Sequence, residues 1–426
     1  MIRSRAFRVL LAAGLFWMTV GGMARAEVIA VAPGSGLAAA LARAAPGDTL
    51  HLAAGTHRGG VVVATPNLTI EGEPDAVVDG GGVGKTLSVT APDVTLRRLT
   101  IRGSGASLID MDSGVYLERT ADRALVEDND IEGNLIGVYV RGPHDATVRH
   151  NRLAGRSDLR RSERGNAVEL WSAPGTQVIG NSIRSGRDGV FSVSSRQDTI
   201  TGNTFRDVRF AVHFMYTNES VVADNDSVGN DVGYVLMYSD RLRITGNISD
   251  HDRDHGLLFN YANTSRIEGN VVRASEKCVF IYNANKNVFR GNWFEGCRIG
   301  IHFTAGSERN EISENSFVGN QTQVMYVGTR SLDWAVRGRG NYWSDDAAFD
   351  LNGDGIADTA YRPNDVIDQV IWRAPAAKLL MNSPAVQVVR WAQSAFPAIH
   401  PGGVIDSAPL MTPPRPAALA RLEPAR

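Results

Sequence analysis

The stretch Ala211-Val-His-Phe-Met-Tyr216 sets an imidazole, a thioether and a phenol within a few residues of one another. A half-buried strand ordinarily alternates apolar with polar side chains, so the run departs from the expected pattern. His213 and Met215 offer a nitrogen and a soft sulfur donor, a combination that takes up Cu(I) in preference to the hard cations of carboxylate sites. Met237 and His302 carry the same donors farther along, and these four are the candidate contacts for copper in transit. The competing role for the methionines is to line a dry interface.

Two other clusters have chemistry-bearing spacing. Asp350, Asn352, Asp354 and Asp358 stand at positions 1, 3, 5 and 9 of a calcium-type loop, with the Ile356 carbonyl and the turn glycine Gly355 in place. Tyr361 occupies position 12, where such loops carry Glu, so another acid such as Asp365 would have to complete a Ca²⁺ shell. An ordinary Asp/Gly turn is the alternative. Asp250, His251, Asp252, Asp254 and His255, with His144 and Asp145, are the groups a uronan lyase or epimerase would use to abstract a sugar proton. They fall where turns are expected, and no second acidic row accompanies them. The chain has no nucleophile elbow, phosphate loop or CxxC.

The elements that must position these residues come from a repeat. Asn129, Asn151, Asn181, Asn203, Asn225, Asn247, Asn270, Asn292 and Asn315 recur in phrases such as Ile-Thr-Gly-Asn, at spacings of 22, 30, 22, 22, 22, 23, 22 and 23. A constant period near this value marks a solenoid. The units alternate apolar residues at period two, favour β-branched side chains, and break at Gly, Asn and Asp, so each is a set of short strands and tight turns. Leucine-rich repeats need regular Leu and a helical half, which are missing. The predicted fold is an all-β, right-handed parallel β-helix, with each Asn turned inward to bond the next at ~4.8 Å along the axis.

Boundaries follow from where the repeat starts and stops. Residues 27–345 are read as the β-helix with an N-terminal cap, in which Ser35-Gly-Leu-Ala-Ala-Ala-Leu begins a short helix. The long spacing before Asn181 loops out about eight residues around Arg160 and Arg161. Residues 346–371 hold the calcium-type loop and a C-terminal cap, and 372–426 form an amphipathic helical tail. Trp391 in that tail would suit a membrane interface or a partner groove. The Pro-rich terminus from Pro413 onward is expected to be disordered.

Aligning the coils on the ladder Asn sorts the faces. Thirteen and eleven residues before it stand Val212/Phe214, Tyr234/Leu236, Leu257/Phe259 and Val279/Ile281, an apolar set that faces the core. The positions between point outward, and they include His213/Met215, Met237, Phe280/Tyr282 and, with one extra residue in its coil, His302. Tyr216, Tyr238 and Tyr261 form a neighbouring stack. Such a concentration of Met, His and aromatic side chains marks a partner surface.

Bulk properties narrow the setting. Arg3, Arg5 and Arg8, the apolar run after them, and Ala24 and Ala26 have the layout of a secretory signal peptide spanning residues 1–26. Its removal leaves 40 Lys and Arg against 46 Asp and Glu, a net charge of −6, which argues against nucleic acid as a partner. Cys278 and Cys297 are left either as one bridge or as two thiols. They are 19 apart, so a bridge needs a local offset from the coil period.

Several of these segments together carry a resemblance. The leader, the cap Ala44-Ala-Pro-Gly-Asp-Thr-Leu-His-Leu, the coils around Asn270 and Asn292, the segment Asn341-Tyr-Trp-Ser-Asp-Asp, and the ending Phe396-Pro-Ala-Ile-His-Pro-Gly-Gly resemble the NosD family. That resemblance implies a non-enzymatic periplasmic accessory protein for nitrous oxide reductase maturation. It implies association with the inner membrane through an ABC-type permease and ATPase complex, and receipt of copper from a copper-chaperone lipoprotein. The alternative from the residues alone is a secreted carbohydrate-active β-helix enzyme.

Overall fold

The computed structural model describes residues 26–422 apart from 35, 305, 329, 364–369, 371–374, 381–382 and 396–402. The predicted signal peptide, Ala26 excepted, therefore lies outside the described residues.

The local rule of the chain is visible in one coil. Arg243–Thr245 is a three-residue strand with Ile244 turned inward, Gly246 takes a left-handed φ of 63°, Asn247 turns inward, and Ile248–Asp250 is the next strand. Gly246 is needed for space as well as for its φ, since a Cβ there would lie 2.4 Å from Asp224 Oδ1. A longer strand, His255–Asn260, then closes the coil. Repetition of this unit builds parallel sheets of 13, 12 and 13 strands, and after the first two strands, which pair with each other, every third strand enters the same sheet. The 12-stranded one, made largely of the longer strands, is called the broad sheet below. One continuous apolar core runs from Ile29 to Val404. The short helix Gly36–Leu41 buries Leu37 and Ala40 against its first coils.

The asparagine ladder sets the register. From Asn129 to Asn315, each Nδ2 donates to the Oδ1 of the next ladder Asn at 2.8–3.0 Å. The same Oδ1 accepts the preceding rung's backbone amide, as Asn225 Oδ1 does from Asn203 at 2.9 Å. A tenth rung, Asn341, extends the ladder, and the Asp406 carboxylate ends it by accepting the Asn341 amide at 2.6 Å and Trp343 Nε1 at 2.8 Å.

Asp406 arrives from the C-terminal segment. Val404–Ile405 pairs with Leu332–Asp333, and antiparallel bridges join Tyr361 to Asp406 and Ile356 to Leu410. Phe317, Trp343 and Tyr361 stack over this end at 4.5 and 4.7 Å between rings. The chain then runs back along the outside of the solenoid, which corrects the expectation of a disordered terminus. Ser316 donates to the Pro414 carbonyl at 2.8 Å, Arg415 lies over Trp293, Ala418 and Leu419 pack on Ile248, Val271 and Trp293, and Arg421 donates to the Gly246 carbonyl at 2.6 Å. A Pro-rich segment has few amides to offer a sheet, so it docks through side chains and carbonyls instead. Its seat is the column just after the ladder Asn, which turns apolar at Ile248, Val271 and Trp293.

Cys278 and Cys297 form a disulfide in the core. Cys278 lies at the start of its strand and Cys297 in the turn before the next one, which supplies the offset that their spacing requires. The looped-out residues after Gly155 also pack down, with Arg161 bonding Asp231 at 2.6 Å and Asp207 at 3.3 Å on later coils.

The end of the ladder gives a direct test. Asp406→Ala orphans the donors of Asn341, Trp343 and Ala408, and at about 1–3 kcal/mol each the expected loss is roughly 3 kcal/mol or more. A guanidinium denaturation midpoint equal to that of the parent would show that the ladder needs no cap.

Candidate functional site

The candidate site is the outer face of the broad sheet. In register there, His213 lies between Phe191 and Val235, and Met215 between Val193 and Met237. The thioether-bearing residues are thus cross-strand neighbours, ~4.8 Å apart by strand spacing.

His213 points outward yet is only 8 % exposed. The Phe191 ring lies 4.8 Å from its own and the Phe210 ring 5.1 Å away, edge-on. Nδ1 is 3.0 Å from Asp188 Oδ2, and the Arg209 guanidinium grips both Asp188 oxygens at 2.8 Å. Burial alone would raise the Asp188 carboxyl, but hydrogen bonds and charge from His213 and Arg209 hold it below its ordinary value. Among the described residues His213 Nε2 is buried without a hydrogen-bond partner, a condition that costs about 1–3 kcal/mol and calls for an explanation.

Asp188 and Arg209 were absent from the sequence reading because the period of two breaks at the start of these strands. Gly189, Ala211, Gly233, Gly256, Cys278 and Gly300 occupy one column, where added side-chain bulk meets the interior. A Cβ on Gly189 would come within 2.4 Å of Phe205, and one on Gly256 within 2.2 Å of Val272. The register skips this column, so Asp188, Phe210 and His255 reach the outer face beside residues three further along. The small-residue column is the signal from which the break could have been read.

Around this centre lie the predicted partner residues. The Tyr216 and Tyr238 rings stack at 5.0 Å and 18°, Tyr238 and Tyr261 at 5.2 Å and 8°, and Tyr282 meets Tyr261 edge-on at 6.0 Å. All four are more than a third exposed. Phe280 stands between His255 and His302, with ring separations of 5.5 and 5.0 Å. Trp391 belongs to the helix Pro384–Ala395, with its side chain outside the described residues.

The four predicted copper donors do not meet at one point. His302 shares the outer column of His213, but Val235, Leu258 and Phe280 intervene, a separation of about 19 Å at four strand spacings. The calcium-type loop closes on its own amides. Asp350 accepts from Gly353, Asp354 and Gly355, Asp354 from Ile356, and Asp358 from Leu351, while Asn352 accepts from Asp354. Among the described residues no three His, Cys, Asp or Glu side chains gather for a metal.

The proton-abstraction cluster is divided as well. Asp252 is fully buried, accepting from Ser227 and Ser249 hydroxyls at 2.6 Å and from the Asn230 amide at 2.8 Å, whereas His255 faces outward against Phe280. Among the described residues, no helix is long and apolar enough to cross a membrane.

Comparison with known proteins then places the chain. The family described as "Periplasmic copper-binding protein (NosD)" matches residues 150–348, which span the donor face. The chain is 42 % identical over 378 residues to a "Probable ABC transporter binding protein NosD" of Stutzerimonas stutzeri, covering 85 % of this chain and 86 % of that one. It is 39 % identical over 402 residues to the protein of the same name from Pseudomonas aeruginosa, covering 89 % and 94 %. The chain belongs to the NosD family. Among solved structures, the PL6 family alginate lyase AlyGC aligns with a TM-score of 0.53 at 13 % identity, over 76 % of this chain and 54 % of that one. At that identity the likeness shows the β-solenoid and nothing of the lyase chemistry. In this NosD chain the loop out of the repeat at Arg160 and the whole methionine face fall inside the family match.

The histidines flanking Phe280 make the face acid-sensitive. Burial first, and then the Lys277 charge, push His255 and His302 each down to about 4. A lowered folded value means their stabilisation is complete above the unfolded value near 6.5 and is lost as pH falls toward 4. His255→Gln combined with His302→Gln should therefore lower the melting temperature less between pH 7 and pH 5 than the parent sequence does. Parallel profiles for the two would refute the assignment.

Proposed function

We propose that this NosD chain is a non-enzymatic periplasmic accessory protein that assists assembly of the copper-sulfur centre of nitrous oxide reductase. The observation that carries the reading is the outer strand face that His213, with Nε2 unpartnered among the described residues, shares with Met215 and its cross-strand neighbour Met237. Soft donors flanked by stacked, exposed tyrosines suit brief contact with Cu(I) and with the proteins that give and receive it. The family descriptions, periplasmic and copper-binding in one case and ABC transporter binding in the other, agree with that use.

Roles divide along the solenoid. Tyr216, Tyr238, Tyr261, Phe280 and Tyr282 form the surface for a copper-chaperone lipoprotein and for the reductase. The helix Pro384–Ala395, with Val388 and Val389 exposed, is the element offered to an ABC-type permease and its ATPase, which would hold the protein at the inner membrane. His302, about 19 Å from His213 along the axis, serves the partner surface rather than the same metal contact. A carbohydrate-active reading has less support, because Asp252 is engaged as a buried acceptor and the lyase likeness is one of fold.

The deciding measurement is the copper content of nitrous oxide reductase from a strain lacking this protein, beside the complemented strain. Loss of the copper-sulfur centre, restored by complementation, is the expected outcome. A fully loaded, active reductase in the deletion strain would end the maturation role. Complementation with Met215→Leu/Met237→Leu should restore clearly less of the centre than the parent sequence.

A further inference from the structure

We propose that Asp188 and Arg209 are positioning residues that hold His213 in its Nδ1–H tautomer, presenting Nε2 with the Met215 and Met237 thioethers as one binding set for Cu(I). The inference rests on the reading of this face as a copper contact and specifies which atoms make it and what aims them.

The tautomer follows from the donor inventory. A carboxylate only accepts hydrogen bonds and a guanidinium only donates them. Asp188 lies 3.0 Å from Nδ1 and receives both arms of Arg209, so the hydrogen between Asp188 and His213 belongs to Nδ1. In the neutral ring Nε2 then carries a bare lone pair. Among the described residues no group answers it, although the atom is buried and the Phe191 and Phe210 rings pack against the imidazole. A carboxylate behind the distal nitrogen is the arrangement that orients metal-ligating histidines and raises their basicity.

The other two donors are placed by register. Met215 is two residues along the same outer face from His213, ~6.6 Å between Cα atoms, and Met237 is the cross-strand neighbour of Met215. Flexible thioether side chains span such distances. The set has one nitrogen and two sulfurs, and the Asp188 carboxylate beside it is already engaged by Arg209 and His213, so it favours a soft monovalent ion over Zn²⁺ or Cu²⁺. Asn260, which follows Met237 in the column, ends the sulfur row.

The test uses Cu(I) alone, titrated anaerobically into the full chain purified from the periplasm, with a chromogenic Cu(I) chelator as competitor. One ion per chain is expected for the parent. His213→Asn and Met215→Leu/Met237→Leu should abolish binding, and Asp188→Asn should weaken it about 10–100-fold, the usual effect of removing such an orienting group. His302→Gln should bind as the parent does. Nitrogen-15 shifts of His213 report the tautomer directly: Nδ1–H in the parent and a mixture in Asp188→Asn, a change that loss of packing alone would not produce. Arg209→Gln, which keeps the Asp188 acceptor, should show a smaller loss, and it decides the matter if Asp188→Asn fails to fold. Parent-like affinity in folded Asp188→Asn, loss on His302→Gln, or a parent chain that takes up no Cu(I) would each overturn the inference. The last result leaves the maturation role to the reductase copper assay, which does not depend on where the ion sits.

Discussion

Everything else in this molecule is referred to the asparagine ladder. Each amide satisfies a backbone amide and a side-chain amide of one rung while donating to the next rung and to a backbone carbonyl, as Asn225 does toward Asn203, Asn247 and Ile200. Four bonds per buried side chain leave little freedom to shift a coil by one residue, and a one-residue slip would turn every core side chain outward. The ladder also has a direction, since its side-chain carbonyls all face the N-terminal end and each rung donates an Nδ2–H toward the C-terminal end. The exposed end of such a row needs an acceptor beyond the last rung, and Asp406 provides it. That requirement ties the final segment of the chain to the solenoid.

A rigid register makes the outer face a set of fixed coordinates. Residues brought side by side by strand pairing are held there by the coils beneath, which is how a site on strands achieves more precision than one on loops. The same regularity limits what can be built. Columns advance by one strand spacing per coil, so donors on non-adjacent coils cannot converge, and His213 and His302 remain apart despite sharing a column. A site on such a face must come from neighbours within one or two coils. His213, Met215 and Met237 satisfy that condition.

The sequence was most legible where one physical rule acted at every coil. The spacing of Asn identified the solenoid, and alternation placed Val212 and Phe214 inside and His213 and Met215 outside, as the register has them. Legibility failed where a second rule intervened. The small-residue column at Gly189 and Gly256 interrupts alternation, and with it the position of Asp188 was lost. Calcium-type spacing at Asp350 left a ligand set and an ordinary turn both open, because metal loops and self-bonded Asx turns use the same residues. Composition misjudged the terminus, since Pro-rich sequence says how a strand can bond and not whether a surface awaits it. Ile248, Val271 and Trp293 form that surface, and they are distant from it in sequence.

On the proposed reading, the shape of the site fits the handling of an ion better than its storage. A resident metal is ordinarily enclosed by charged ligands in a closed shell, with slow release as the result. Here the two sulfur donors are uncharged and half-buried on the flank beside the exposed tyrosines, and the Asp188 carboxylate in contact with His213 is committed to Arg209. Such a set holds a soft ion by donor type rather than by charge, so a partner bringing further soft ligands to that flank can take the ion by exchange, without leaving it free. Half-buried thioethers beside an exposed aromatic surface keep such an ion exchangeable, which is the property a carrier surface needs.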